Sequence, residues 1–211
     1  RQRVGGTWTY GQRNCAMSDM PNKKNVEDFK LQSYLAADLR RAEMLLHGSA
    51  ENVSGLRLWI GILSPRFIPV LLCRLAYFFY RLNLGSIAKV MSLLNFFFFG
   101  IEIAVRCPIG KGFFLPHTQG TVIGAWSIGE NVTIFQGVTL GAKELDFSYD
   151  ESSRPKVADG VTIGAGAKII GGLVLGSRSC VGANAVVLCD VAPDSLVVGI
   201  PAKAVQRLGG V

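Results

Sequence analysis

Apolar residues in the second half of the chain recur with a period of six. Two unbroken runs show it: Ile128, Ile134 and Leu140, and then Val157, Ile163, Ile169, Leu175, Val181 and Val187. Ile109 and Leu115 begin the series, and Val122 continues it after a slip of one residue. A glycine, alanine or other small residue often follows the aliphatic one, as in IGENVT, IGAGAK and VGANAV.

This period fits neither an α-helix nor a simple alternating strand. It is typical of a parallel β-helix, in which short strands meet at regular corners and the aliphatic side chains stack inward. A β-sandwich with regularly spaced turns is the alternative, but the two unbroken runs favour the β-helix. With three corners per coil, the twelve inward positions predict about four coils within a domain of residues 101–200.

The repeat is interrupted once, by AKELDFSYDESSRPK at residues 142–156. This stretch is polar and lies between regular coils. A long excursion from a compact domain is usually functional or disordered. We therefore expect a loop that folds over a neighbouring surface.

The first half of the chain has helical spacing instead. Residues 26–48 place apolar side chains at helical intervals and end at Gly48, which predicts a first helix. Two more segments, 65–85 and 86–100, also close with glycine. Residues 26–100 are therefore predicted to form an α-helical region. Residues 1–25 are predicted to be disordered or to include residues foreign to the natural chain, which could start at Met17, and residues 201–211 to form a C-terminal tail.

The net charge of +7 belongs wholly to the helical half. Residues 52–101 contain no acidic residue, yet no apolar run is long enough to predict a spanning helix. A basic, aromatic-rich helix can lie on an anionic membrane surface. Alternatively, the apolar faces pack in a subunit interface while arginines extend to solvent. Both interpretations stay open.

The cysteines and histidines predict a reduced, cytoplasmic chain without a metal site. The five cysteines form no CxxC pair, and no Cys/His cluster has the spacing of zinc ligands. Of the two histidines, His47 falls on a predicted helix, whereas His117 lies in FFLPHTQGTVIG at the start of the repeat. Alone, His117 could be a corner residue bonded to backbone.

Three segments, IGENVTIFQGVTLG, RPKVADGVTIGAGAKIIGG and VAPDSLVVGIPAKAV, resemble the hexapeptide-repeat acyltransferases, specifically the serine acetyltransferase-like branch. The resemblance covers residues 100–207. It implies a left-handed parallel β-helix, assembly as a homotrimer or dimer of trimers, and acetyl-CoA as the donor, with no metal and no nucleic acid.

The resemblance also implies catalytic residues. His117 matches the histidine that acts as general base in a motif on an early coil. A neutral imidazole can take a proton from a hydroxyl at cytosolic pH. Glu102 matches the acidic residue that orients this histidine from the start of the β-helix, although an acidic residue there could also cap a turn.

The donor is expected in the groove between adjacent β-helices, where an extended pantetheine chain needs small residues. The matching small residues are Gly141, Ala142, Ala165, Gly166 and Ala183. Lys168, Arg178 and Lys203, with Arg207 beyond them, are expected to meet the phosphates. These small residues could equally serve only the tight corners.

The chain departs from true serine acetyltransferases at the acceptor site. Pro116 replaces the aspartate usual before the histidine, and the motif RHPK reads Ser153-Arg154-Pro155-Lys156 here, which leaves Arg154 and Lys156 as candidate acceptor-binding residues. A lost amino-acid clamp should weaken serine binding.

The form LPH at residues 115–117 resembles members of this branch that are found with exopolysaccharide and capsule synthesis. This resemblance implies a sugar hydroxyl in surface polysaccharide synthesis as the acceptor, with the enzyme cytoplasmic and in peripheral contact with the inner membrane face. Serine O-acetylation is the alternative. A non-catalytic β-helix that serves only assembly is the third hypothesis.

Overall fold

The computed structural model describes residues 29–48, 61–62, 64–146 and 148–205. Predictions for residues 1–25 and for 206–211 lie outside the described residues, and so does the start of the first predicted helix.

The described part of the first half is helical, as predicted. Helix α1 spans Leu31–His47, α2 spans Ile68–Arg81 and α3 spans Gly85–Phe99. Gly48 and Gly100 cap α1 and α3 in the left-handed region, at φ 71° and 60°, which confirms two of the predicted ends. Gly85 was expected to close a helix, but it opens α3 instead, because α2 already ends at Arg81.

The second half forms three short-stranded parallel sheets. Sheet A contains β1 Ile101–Ile103, β2 Thr121–Ile123, β5 Thr139–Gly141, β8 Lys168–Ile170 and β11 Val186–Val187. Sheet B contains β3 Ser127–Ile128, β6 Lys156–Val157 and β9 Val174–Leu175. Sheet C contains β4 Thr133–Ile134, β7 Thr162–Ile163, β10 Cys180–Val181 and β12 Leu196–Val198, and β13 Lys203–Val205 joins β12 in the antiparallel sense.

The chain passes from sheet A to B to C and back to A on each turn, so it forms a parallel β-helix with three faces. Single bridges at Ile109, Phe114 and Val191 extend sheets B and C beyond their named strands. The parallel β-helix is therefore confirmed, while its left-handed sense stays a prediction. Residues 201–211 were expected to form a tail, but within them Lys203–Val205 forms strand β13, which pairs with β12.

The inward positions form the core, as the six-residue period predicts. Leu115, Ile134, Leu140 and Ile163 are fully buried. Val122 is the exception, since it points outward and is 37% exposed, whereas Ile123 is buried at 1%. The slip after Leu115 is therefore one residue longer than predicted. The count of about four coils is not confirmed, because sheet A already contains five strands.

One corner of the β-helix matters for function, and we name it the C–A corner. It connects sheet C to sheet A on successive coils, at residues 115–120, 135–138, 164–167 and 182–185. Each coil places one residue with positive φ there: Gly120, Gly137, Gly166 and Asn184. At Gly166 the φ of 74° favours glycine, and an added side chain would also meet the Asn184 amide.

The helices pack on the first coils through a buried ion pair. Arg74 on α2 binds Asp38 on α1, and the two side chains are 2% and 0% exposed. The same guanidinium donates to the carbonyl groups of Ile109 and Gly110 at the start of the β-helix. One buried cation therefore connects two helices and the first coil.

Helix α3 presents an apolar stripe to solvent. Ile87, Val90, Leu93 and Phe97 lie on one side at 41%, 49%, 51% and 75% exposure. Such a stripe is typical of an interaction surface, and both interpretations from the sequence remain predictions. None of the helices among the described residues is long and apolar enough to cross a membrane.

Candidate active site

His117 lies at the first level of the C–A corner. The corner is tied to the end of α3, because Thr118 Oγ1 donates to the Phe99 carbonyl at 2.8 Å and Gly120 N donates to Gly100 at 2.9 Å. Leu115, two residues earlier, is fully buried, while His117 itself is exposed. Within the described residues its imidazole makes no hydrogen bond, so both ring nitrogens can meet a ligand.

Glu102 lies on the outer face of sheet A, beside this corner. In the register of β1 and β2, Glu102 stands opposite Val122, five residues after His117. Its carboxylate is exposed and has no hydrogen-bond partner among the described residues. The fold therefore brings the predicted carboxylate to the edge that carries the predicted base, without a bond between them.

Three of the predicted donor-binding residues stack at the same corner, further along the axis. Gly166 N donates to the Gln136 carbonyl at 2.8 Å, and Asn184 N donates to the Ala165 carbonyl at 2.8 Å. Ala183 is exposed one coil beyond Ala165. The small residues that the sequence singled out therefore form a continuous low ridge that leads away from His117.

Lys168 begins β8 next to that ridge, whereas Gly141 and Ala142 lie across sheet A, where β5 ends and the loop 142–156 begins, so the structure does not bring these two residues to the C–A corner. Gly141 ends β5 and has open space where a side chain would be, and Ala142 follows it. Lys168 Nζ donates to the Gly137 carbonyl at 2.5 Å and to Thr139 Oγ1 at 3.1 Å, so it turns towards the preceding coil. This ammonium has no carboxylate partner among the described residues and can still attract an anion.

The other two predicted phosphate contacts lie elsewhere. Arg178 is at the corner between sheets B and C and pairs with Asp194 at 2.7 Å. Lys203 is exposed on β13, at the C-terminal end of sheet C. The structure thus does not bring Arg178 to the C–A corner, because the two corners are separated by the width of sheet C.

The loop 142–156 leaves sheet A after β5 and returns at β6 in sheet B, so it lies at a different corner, which we name the A–B corner. Arg154 pairs with Asp146 at 2.7 Å, and Lys156 pairs with Glu151 at 2.9 Å. Both candidate acceptor-binding residues are therefore engaged within the loop. A cavity of about 690 Å³ lies between the loop and the next coil, lined by Asp146, Ser153, Gly171 and Leu188 among others.

Sequence reasoning missed Asp146, Tyr149 and Gln136. Asp146 accepts hydrogen bonds from the Ser148 backbone and side chain, a local pattern that the D-x-S spacing could have indicated. Tyr149 carries no comparable signal. Gln136 lies at the C–A corner, and its buried Oε1 has no hydrogen-bond partner among the described residues.

No group of three or more metal-ligating side chains comes together in the part of the chain that the structure describes.

The family of bacterial transferase hexapeptide repeats (six repeats) matches residues 154–189. A serine acetyltransferase of Bacillus pumilus is 41% identical over 137 residues, which cover 64% of this chain and 62% of that protein. The matched part therefore spans less than two thirds of the Bacillus protein. A serine acetyltransferase of Helicobacter pylori is 39% identical over 151 residues, which cover 71% of this chain and 86% of that protein.

Solved serine acetyltransferases share the fold. A soybean enzyme complexed with serine aligns at a TM-score of 0.72 and 32% identity, covering 86% of this chain and 72% of that one. A serine acetyltransferase in complex with CoA aligns at 0.67 and 27% identity, covering 85% and 72%.

These matches overturn the prediction of a sugar acceptor. The similarity to serine acetyltransferases extends over 137 to 151 residues, whereas the departures on which the sugar interpretation rested are single residues at Pro116 and in Ser153–Lys156. The alternative, acetylation of serine, is the better supported interpretation, and nothing in the comparisons supports a polysaccharide branch.

Proposed function

Because the chain belongs to the serine acetyltransferase family, we propose that it is an acyltransferase that moves the acetyl group of acetyl-CoA to the hydroxyl of L-serine. The observation that carries this proposal is the match to the Helicobacter pylori enzyme, at 39% identity over 86% of that protein's length. The neighbours solved with serine and with CoA support the two substrates.

His117 is proposed as the general base. Its imidazole is exposed and unbonded among the described residues, at a corner fixed by backbone contacts to α3. The imidazole removes the hydroxyl proton as the serine oxygen attacks the thioester carbonyl, so a C–O bond forms. When the tetrahedral intermediate collapses, the C–S bond breaks and the imidazolium returns the proton to the CoA thiolate.

Glu102 is proposed as the partner of His117. This proposal is supported by the register of β1 and β2, in which the exposed Glu102 stands opposite Val122, five residues after His117. A carboxylate that accepts from one ring nitrogen selects the tautomer whose other nitrogen can act as base, and it stabilises the imidazolium. In the described chain the two groups are not bonded, so this contact has to form when the substrates bind.

The donor is proposed to lie along the C–A corner. Ala165, Gly166 and Ala183 give the pantetheine chain close access to backbone groups, and Lys168 supplies a positive charge beside them. Arg178 and Lys203 could reach the donor only from another side of the β-helix. They are therefore proposed to contact a phosphate only across a subunit boundary.

The family resemblance implies a homotrimer, and the arrangement of corners supports one. His117 lies at the C–A corner, while the loop 142–156 lies at the A–B corner of the same chain, so the width of sheet A separates them. A neighbouring copy can bring its loop to the His117 corner. We propose that the acceptor binds between two copies.

The test is acetyl-CoA-dependent thiol release with L-serine. Replacement of His117 by Ala should lower kcat by roughly 10² to 10⁴, the usual contribution of general-base catalysis. Gln119→Ala, two residues away at the same exposed corner, is the matched control and should leave kcat within about twofold. An unchanged rate in His117→Ala, or thiol release by the wild type that does not depend on L-serine, would refute the proposal.

A further inference from the structure

Arg154 holds the two ends of the loop 142–156 together. Its Nε donates to Asp146 Oδ2 at 2.7 Å, and its Nη2 donates to the Asp146 carbonyl at 3.1 Å. The two side chains are only 13% and 7% exposed. Because both side chains are largely buried, solvent screens the attraction between them only weakly, and the ion pair holds the loop closed.

The same arginine ties the loop to the preceding coil. Its Nη1 donates to the Gly124 carbonyl at 2.8 Å, and its guanidinium lies 4.1 Å from the centre of the Tyr149 ring. Tyr149 in turn donates its hydroxyl to the Ala125 carbonyl at 2.6 Å. Every nitrogen of the guanidinium thus donates to a protein oxygen, and none faces the cavity.

The neighbouring residue faces the other way. Ser153 lines the cavity of about 690 Å³ under the loop, and Arg154 does not. Ser153 ends a 3₁₀ turn, and Arg154 follows it in extended backbone, at φ −119° and ψ 144°. The Arg154 side chain is directed towards Gly124 and not into the cavity. An arginine in this position cannot reach a ligand in the cavity without leaving Asp146 uncompensated.

We propose that Arg154 is a positioning residue: through Asp146 and Gly124 it locks the loop 142–156 closed on the A–B corner, and it does not bind the carboxylate of the acceptor. The locked loop presents one fixed face to the active site of a neighbouring copy. The kinetic part of this inference rests on the proposed function, while the lock itself does not.

Two variants test the lock from its two sides. Arg154→Gln and Asp146→Asn should each lower kcat for L-serine by about tenfold, since a small displacement of a positioning element can cost up to ~10² in rate. The double variant should be no slower than the worse single one, because both remove the same contact. KM for L-serine should change less than about twofold in all three.

An acceptor without the carboxylate separates positioning from direct binding. With L-serine amide, Arg154→Gln should lose the same factor in kcat as it does with L-serine. If Arg154 binds the carboxylate instead, its loss raises KM for L-serine alone, and Asp146→Asn leaves the rate unchanged because it frees the arginine. Either of those results would overturn the proposal.

Hydrogen exchange gives a readout that does not depend on activity. Amides of residues 143–153 should exchange at least about tenfold faster in Arg154→Gln and Asp146→Asn, while those of β7 to β11 stay protected and show that the β-helix is folded. Glu151→Gln is the matched control: its pair with Lys156 lies in the same loop with the carboxylate 53% exposed, so neither readout should change.

The two proposals can fail separately. A wild type that releases no thiol with L-serine removes the proposed function, but faster exchange of the loop in both variants would still support the lock. Unchanged exchange in both variants would overturn the lock even in an active enzyme.

Discussion

Replacement of Arg74 by Met should strongly lower the free energy of unfolding of this chain. Arg74 donates to the two oxygens of Asp38 at 2.9 and 3.0 Å, and it also binds the carbonyl groups of Ile109 and Gly110. Asp38 accepts one further hydrogen bond, from the Phe113 backbone at 2.9 Å. The methionine keeps most of the apolar stem but removes every donor.

The size of the stability loss depends on the polar groups that the substitution leaves without a partner. Asp38 is 0% exposed, so the substitution leaves a buried carboxylate whose remaining hydrogen bond within the described chain comes from the Phe113 backbone. Breaking a buried ion pair from one side costs about 3–5 kcal/mol. The carbonyl groups of Ile109 and Gly110 lose their donors as well. A buried group left without a partner costs about 1–3 kcal/mol, and part of that cost is already included in the cost of breaking the ion pair. We expect a loss of about 4 kcal/mol, a large share of the ~5–15 kcal/mol that stabilises a typical domain.

Urea unfolding at matched protein concentration measures this loss. The same loss should lower Tm by about 8–16 °C, at roughly 2–4 °C per kcal/mol for a chain of this size. Adding Asp38→Asn to Arg74→Met removes the stranded charge and keeps an acceptor for the Phe113 amide. The double variant should therefore be more stable than Arg74→Met alone. A loss below about 1 kcal/mol, or a double variant less stable than the single one, would refute this reasoning.

Three further predictions concern the loop. Gly172→Ala should release it, because the added methyl group would collide with the Ser152 carbonyl, and hydrogen exchange in residues 143–153 should rise. Burial raises the pKa of Asp146, but hydrogen bonds from Ser148 and others outweigh burial and hold it at about 2, below the ordinary 3.8. The ionised Asp146 carboxylate therefore stabilises the closed loop fully above about pH 4. Hydrogen exchange of the loop amides, corrected for intrinsic rates, should rise only as the pH falls towards 2. Ser153→Arg should lower KM for L-serine by roughly tenfold and leave KM for L-serine amide unchanged, since it returns an arginine to the first position of the RHPK motif, and that position faces the cavity.

The six-residue period allowed most of the β-helix to be predicted, because inward positions must be aliphatic in every coil. Leu115, Ile134 and Ile163 are buried as expected. The period failed at the first full coil, where Val122 and Ile123 are equally aliphatic and only the backbone path after His117 decides which one points inward. Periodicity cannot choose between two adjacent residues of the same kind.

The C–A corner could also have been predicted from the sequence, since His117, Ala165 and Ala183 each lie two residues after an inward aliphatic position. The corner of Arg178 could have been recognised in the same way, by counting residues from β9 to β10. The polar contacts of the loop could not, because Asp146 and Arg154 are eight residues apart in a segment without a period.

The arginine after the loop shows why a residue type is weaker evidence than its direction. In the sequence, Arg154 stands one position from the arginine of the family motif, which suggests a shifted but equivalent contact. In the fold, Ser153 faces the cavity and Arg154 faces Asp146 and Gly124. Ser153 ends a 3₁₀ turn and Arg154 continues in extended backbone, so the two neighbouring side chains face different sides. A shift of one residue therefore exchanges a cavity-facing position for a loop-locking one. The proposal that Arg154 is a positioning residue requires other groups to bind the carboxylate of the acceptor, and it fails if Arg154→Gln raises KM for L-serine but not for L-serine amide.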